Sequence, residues 1–218
     1  MFLFFSIFVR VGEYKISTTE DCENVKREPR CSQYPVQDLA IEEIIIHPKF
    51  STTVFKDDIG LVRVTKMDFK PENVHPICLP VSEEARTKKF NNAVVTGWGY
   101  TNPYQPKLGD PGTKADILQQ VGLVTRDLKE CKKQYDDVPQ ARIKFTHICS
   151  GGFGEKDACP GDSGGPLQKA MDNDEGQLRS FQLGIVSFGP VICGTDGRPG
   201  VYTRISYYMD WILDNLKP

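Results

Sequence analysis

Apolar residues fall in short runs dominated by β-branched and aromatic side chains. Residues 8–15, 43–46, 59–64, 93–98, 118–124, 166–168, 181–186 and 200–204 each read as a strand, with Pro, Gly, Asp and Asn between them. Many short strands punctuated by turn chemistry predict an antiparallel barrel or sandwich, an all-β fold. Two stretches carry helical spacing instead. Residues 127–135 put Leu128, Cys131 and Tyr135 on one face. Residues 206–216 open on Ser206, a suitable N-cap, and stack Tyr208, Trp211, Ile212 and Leu216. The polar stretches 101–114 and 169–178 read as exposed loops, and the charged segment 82–91 as the boundary between two halves.

Composition narrows the function classes. The 218 residues carry 27 Lys and Arg against 29 Asp and Glu, a net charge of −2, so no basic excess favours nucleic acid as a partner. With 39% apolar and 26% charged residues the chain has ordinary globular composition, and its length allows a sizeable core. No apolar run approaches the roughly 20 residues needed to cross a membrane. The apolar opening, residues 1–8, resembles a short signal core without a basic start or a small-residue cleavage site. Residues 4–14 read better as a barrel strand. Seven cysteines without a CxxC pair point to a secreted, disulfide-bonded protein. The odd number leaves one thiol without a partner in this chain.

The chemistry concentrates in residues 157–166, Asp-Ala-Cys-Pro-Gly-Asp-Ser-Gly-Gly-Pro. Glycines flanking a serine let the backbone fold tightly and aim successive N–H groups at one point. Acyl transfer needs that combination: an exposed hydroxyl beside donors for a developing oxyanion. A bare Gly-Asp-Ser-Gly is an ordinary turn; the whole string is far more specific. It resembles the trypsin-like (chymotrypsin-fold) serine proteases, and the resemblance covers nearly the whole chain.

Other landmarks follow in the family's order. Asp57-Asp58-Ile59-Gly60-Leu61 resembles the segment holding the catalytic acid, with Gly60 in place of the usual Ala. Val74-His75-Pro76-Ile77-Cys78-Leu79-Pro80 resembles the approach to the crossover between barrels, and Val95-Thr96-Gly97-Trp98-Gly99 the strand beyond it. Ser187-Phe188-Gly189 resembles the strand that pairs with a substrate backbone, with Phe188 where Trp is usual. The resemblance implies two antiparallel barrels, the first incomplete, and a C-terminal helix. Residues 1–218 then form one peptidase domain lacking its N-terminal portion, with 1–85 the partial first barrel and 86–218 the second barrel and helix.

By the same resemblance Ser163 is the nucleophile and Asp58 the acid that orients the catalytic imidazole. The N–H groups of Gly161 and Ser163 form the oxyanion hole. Asp157, six residues before Ser163, is the base of a pocket selecting Arg or Lys. Ser187, Gly189 and Gly200 line the substrate site, and Asp162 pairs with a new amino terminus on activation. Read singly, Asp58 is a solvated turn acid, Asp157 a surface carboxylate and the glycines ordinary turn residues. Their common register with Ser163 favours the catalytic reading.

Two family features are missing. The Ala-Ala-His-Cys segment that carries the catalytic His has no counterpart, and His47, His75 and His147 each read as surface or loop residues. The activation start Ile-Val-Gly-Gly is also absent, and the chain joins the pattern near Val9-Arg10-Val11-Gly12-Glu13. The expectation is an N-terminally truncated chain with negligible activity as it stands.

The resemblance pairs Cys131 with Cys149 and Cys159 with Cys193. A local Cys22–Cys31 bridge in an inserted loop, residues 18–37, resembles the clip-domain proteases of arthropods. Cys78 is left to tie the domain to an upstream regulatory segment. That loop offers Glu13 with Asp21 or Asp38 to calcium, against the simpler reading of a solvated loop. No other cofactor is expected. The function implied is a secreted serine endopeptidase cleaving protein substrates after Arg or Lys in an extracellular immune or developmental cascade, controlled by serpin-type inhibitors. The alternative is a non-catalytic homologue acting as a binding cofactor or adaptor.

Overall fold

A computed structural model of the chain describes residues 8–18, 20, 22–25, 28–31, 35–69, 73–101, 112–154, 156–190 and 192–216, with 22–25 and 28–31 described by their backbone alone. It contains two compact units. One comprises Met1–Ile46 and Gly60–Pro76, the other His47–Ile59 and Ile77–Pro218. The chain therefore changes unit three times before residue 78, and the charged 82–91 segment lies wholly inside the second unit.

In the first unit, β1 (Phe8–Val11) and β5 (Gly60–Val64) flank the long central β4 (Gln37–Ile46) in an open antiparallel sheet. Ala40 pairs with Phe8, and Ile44 with Val62. Alternate positions of β4 turn inward, with Leu39 buried, so the strand follows the period-two pattern of a half-covered sheet. The supposed inserted loop holds a hairpin, β2 (Cys22–Val25) with β3 (Glu28–Cys31), whose register sets Cys22 opposite Cys31. The expected bridge between them concerns side chains outside the described residues. So does Asp21. Glu13 and Asp38 both engage Arg10, at 3.4 and 2.7 Å.

The second unit is a closed six-stranded barrel. Around it run β10 (Leu178–Phe188), β11 (Gly200–Arg204), β8 (His147–Ser150), β7 (Gln119–Arg126), β6 (Asn92–Gly97) and β9 (Pro166–Asp172), every neighbour antiparallel. Closure removes the free edges that an open sheet presents. Inward positions supply the core: Val95, Leu123, Ile148, Leu167, Phe181 and Tyr202 among others. Each fully buried Leu or Ile contributes about 2 kcal/mol. Of residues 169–178, expected as a loop, 169–172 and 178 continue β9 and β10. Leu167 and Met171 are buried at even spacing along β9, and 173–177 turns. β8, buried at all four positions, carries no alternation by which a sequence pattern would reveal it.

Three short helices complete the fold. α1 (Glu83–Thr87) was not foreseen; the Ser82 side chain caps it by accepting from the Ala85 N–H. α2 (Leu128–Gln134) is capped by Asp127, which accepts from Lys129 and Glu130, and is tied to β8 by the Cys131–Cys149 disulfide. Seven residues are too few to hold a helix alone, so the cap and crosslink supply what length does not. α3 (Ile205–Asn215) starts one residue earlier than expected, directly from β11, so Ser206 lies in its first turn and does not cap it. The helix buries Ile205, Tyr208, Met209 and Ile212, at i, i+3, i+4 and i+7. Leu216, expected on that face, is 59% exposed because the helix ends at Asn215 and the chain turns away. Trp211 is half-buried. No helix among the described residues is long and apolar enough to cross a membrane.

Candidate active site

Ser163 is exposed in a tight turn just before β9. Three backbone bonds build that turn: Asp162 N–H to the Cys159 carbonyl, Gly165 N–H to the Asp162 carbonyl, and Gly164 N–H to the Val186 carbonyl of β10. Gly161 sits at φ +96°, and a Cβ there would come 3.1 Å from Gly99 Cα, so backbone conformation and close packing both demand glycine. The N–H groups of Gly161 and Ser163, the expected oxyanion donors, meet no acceptor among the described residues. Both remain free to donate to a bound group.

The Asp162 side chain turns away from Ser163 into a notch beneath the turn. Its Oδ1 accepts from Gly99 N–H at 2.8 Å and its Oδ2 from Cys159 N–H at 2.9 Å. A Cβ on Gly99 would approach both carboxylate oxygens to 2.6 Å. The two glycines of Gly97-Trp98-Gly99 thus make room for this carboxylate. Beside it opens a cavity of about 280 Å³ lined also by Gln120, Lys156 and Asp157.

Asp58 is held from two strands. Ser187 Oγ of β10 donates to Asp58 Oδ2 at 2.6 Å, and Thr203 Oγ1 of β11 donates to the Asp58 carbonyl at 2.7 Å. The preceding residues carry the strain of the turn, with Phe55 at φ +41° and Asp57 at φ +52°. Asp57 is buried and accepts from the Tyr208 hydroxyl at 2.8 Å, with the Lys56 ammonium at 3.1 Å. Burial alone would raise its pKa; the Tyr208 and Lys56 contacts outweigh that and hold it below the usual carboxylate range.

Ser163, Ser187, Phe188, Gly189, Gly200 and Tyr202 line one cleft of about 500 Å³. The glycines keep it open: a Cβ on Gly189 would lie 3.7 Å from Gly200 Cα. Asp157 is buried behind Gly200, where a Cβ would approach its Oδ1 to 2.8 Å and the Tyr202 hydroxyl to 3.1 Å. Burial pushes the Asp157 carboxyl up to about 6, against two backbone donors, Gly194 and Ala158, that act the other way. The Tyr202 hydroxyl is buried with no hydrogen-bond partner among the described residues. Asp157 itself lies against the 280 Å³ cavity beside Asp162, separated from the Ser163 cleft by Gly200, and accepts from the Ala158 and Gly194 N–H groups. The Cys159–Cys193 disulfide ties the segment before Ser163 to the loop between β10 and β11.

No histidine lines this cleft. His47 lies between Tyr208 and Trp211, at centroid distances of 5.3 and 5.0 Å. His147 is buried, contrary to the surface reading of its sequence context; its Nδ1 accepts from Lys144 N–H, and desolvation lowers its pKa. His75 is exposed in the first unit. Ser163 Oγ therefore has no base beside it among the described residues. Cys78 is a free, half-buried thiol whose backbone bonds Ser180 and Gln182 of β10.

Four contributors escaped the sequence reading: Tyr202, Thr203, Tyr208 and Phe55, whose ring stacks on Phe188 at 4.8 Å. Their roles arise from distant segments meeting, and no local motif marks them.

A closed antiparallel barrel with a second sheet and a C-terminal helix is the trypsin-like fold, as the sequence led us to expect. The chain belongs to the trypsin family, whose pattern matches residues 11–212. It is 34% identical over 211 residues to serine protease grass of Drosophila melanogaster, covering 95% of this chain and 52% of that protein. It is 39% identical over 212 residues to phenoloxidase-activating factor 3 of Holotrichia diomphalia, covering 96% and 56%. The crystal structure of the drosophila Grass clip serine protease of the Toll pathway superposes with a TM-score of 0.78 at 34% identity, covering 94% of this chain and 55% of that one. The chain spans about half the length of the curated relatives it matches.

Proposed function

We propose that this domain carries the substrate-binding and nucleophilic half of a secreted endopeptidase that cleaves protein substrates after Arg or Lys. The observation that carries this reading is Asp157: a buried carboxylate behind the glycine-walled cleft that Ser163 lines. A substrate guanidinium or ammonium reaching that carboxylate would supply the counter-charge Asp157 lacks. The scissile carbonyl would then lie against Ser163, its oxygen taking the free N–H groups of Gly161 and Ser163. Asp58, fixed by Ser187 and Thr203, is the acid that would orient an imidazole, and Asp162 the carboxylate that would receive an activation-generated amino terminus. Relatives named as a phenoloxidase-activating factor and a Toll-pathway clip protease support an extracellular cascade role, with serpin-type inhibition and a regulatory segment joined through Cys78.

The absence of an imidazole from the cleft favours a second reading, a non-catalytic homologue that binds a basic segment without cutting it. Both readings give the 218-residue chain negligible turnover, since losing a triad member removes several orders of magnitude in rate. Calorimetry with Arg-, Lys- and Leu-ended peptides, beside chromogenic assays of the same series, tests the shared part. Binding should follow Arg and Lys with no Ser163-dependent turnover. Equal binding of the Leu-ended peptide would remove Asp157 from the proposed role, and turnover at ordinary protease rates would overturn the missing base. An in-frame Ala-Ala-His-Cys in the transcript upstream of Met1 separates the enzyme from the adaptor.

A further inference from the structure

A second cavity in the barrel unit, about 610 Å³, takes no part in the chemistry above. It is walled by the 47–57 loop, the 142–147 segment and one face of α3. Its basic side chains are Lys49, Lys56, Arg142 and Lys144, and its acids Asp57 and Asp210. The acids are already matched. Asp57 takes the Tyr208 hydroxyl and the Lys56 ammonium, and Asp210 takes Arg86 at 2.9 Å. Lys49, Arg142 and Lys144, all exposed, meet no side-chain acceptor among the described residues. The cavity therefore holds three uncompensated cations in a chain of net charge −2.

Aromatic surface lies among those cations. Phe145 is 63% and Tyr207 50% exposed, in edge contact at 5.2 Å, and the half-buried Trp211 lies against His47. Exposed aromatics beside Arg are the residue types that dominate binding hot spots. The platform is also rigid. The Arg204 guanidinium donates to the carbonyls of Phe145 and His147, and the Arg204 N–H donates to that of Thr146, so three successive carbonyls are pinned to the start of α3. Preorganisation of this kind lowers the ordering cost of binding.

We propose that this cavity docks an acidic peptide segment of a partner protein, one carrying an aromatic side chain among its carboxylates. Its concavity and aromatic walls suit a side chain inserted between charges; a flat array of cations would suit a polysaccharide better. The ring would enter between Phe145, Tyr207 and Trp211, while the flanking carboxylates meet Arg142, Lys144 and Lys49. Because the cavity shares no lining residue with the Ser163 cleft, docking here and peptide binding there are separable.

Fluorescence anisotropy on the full chain tests this, with a labelled Asp-Glu-Tyr-Glu-Asp peptide as probe. Binding should weaken about tenfold or more in Arg142→Glu/Lys144→Glu, and similarly when the probe's Tyr is replaced by Ser; it should also weaken with added salt. Binding of Arg-ended peptides at the Ser163 cleft should be unchanged in the same variant, which shows that it is folded. The milder Lys49→Gln provides a second reading with little risk to folding and should weaken binding severalfold. Affinity unaltered by these substitutions, or tight binding of heparin with none of the peptide, would overturn the proposal.

Discussion

On the proposed function, Asp157 would serve binding at the expense of stability. Its carboxyl is raised to about 6 chiefly by desolvation, so the folded chain holds a proton that the unfolded chain releases near 4. Its contribution to folding is then fully present below pH 4 and lost as pH rises through about 6. Asp157→Asn keeps the shape without the charge. It should be more stable than the parent at pH 8, by up to about 3 kcal/mol, with the difference vanishing near pH 4. Ligand binding should run the other way. Benzamidine, an arginine-like amidinium, should bind the parent more tightly as pH rises through about 6, because only the ionised carboxylate pairs with it, and the Asn variant should lose both the affinity and the pH dependence. Urea titrations at pH 4 and 8, paired with calorimetry, check the two signs together. Ser163, Asp157 and Asp162 are legible in the sequence because one contiguous string sets their spacing. Tyr202, whose hydroxyl lies with the Asp157 carboxylate against Gly200, is not, because only the closure of β11 against the rest of the barrel brings its hydroxyl there.

Elements were legible where one periodicity governed them and obscure where position in the fold did. The strands β6 and β11 follow their apolar pattern almost to the residue. The hairpin β2–β3 and the extensions of β9 and β10 run through polar sequence, held by cross-strand pairing rather than by burial of every second side chain. In α3 the sequence fits two neighbouring faces, one using Leu216 and the other Ile205 and Met209; tertiary packing selects the second. A pair of substitutions separates the two. Met209→Ala empties a fully buried site and should cost about 2–5 kcal/mol, whereas Leu216→Ala at a 59% exposed site should change stability by less than about 0.5 kcal/mol. Denaturant midpoints of the two variants give the answer, and equal losses would restore the face that ends on Leu216.

Across the whole molecule the two units differ in how their sheets end. The barrel closes on itself, so each of its six strands has two partners, and its core includes Leu167 and Tyr202 at 0% exposure. Among the described residues, the three-stranded sheet of the first unit has β1 and β5 at its edges and leaves Ile44, Ile46 and Val62 largely exposed. Edge strands with little apolar cover open at low free energy, while strands inside a closed core exchange only through larger unfolding. Sequence could indicate that strands were present in both regions, since the same β-branched runs occur in each. It could not rank their stability, because that depends on how many partners each strand finds. Hydrogen exchange followed by mass spectrometry should therefore show β1 and β5 exchanging at least tenfold faster than β6, β9 and β10. Reduction of Cys131–Cys149 should narrow the gap from the barrel side, since releasing the crosslink across an 18-residue separation returns chain entropy to the unfolded state and removes roughly 3 kcal/mol of stabilisation. Uniform protection across both sheets would mean that they unfold as one cooperative body, and that the free edges of β1 and β5 set no local limit on stability.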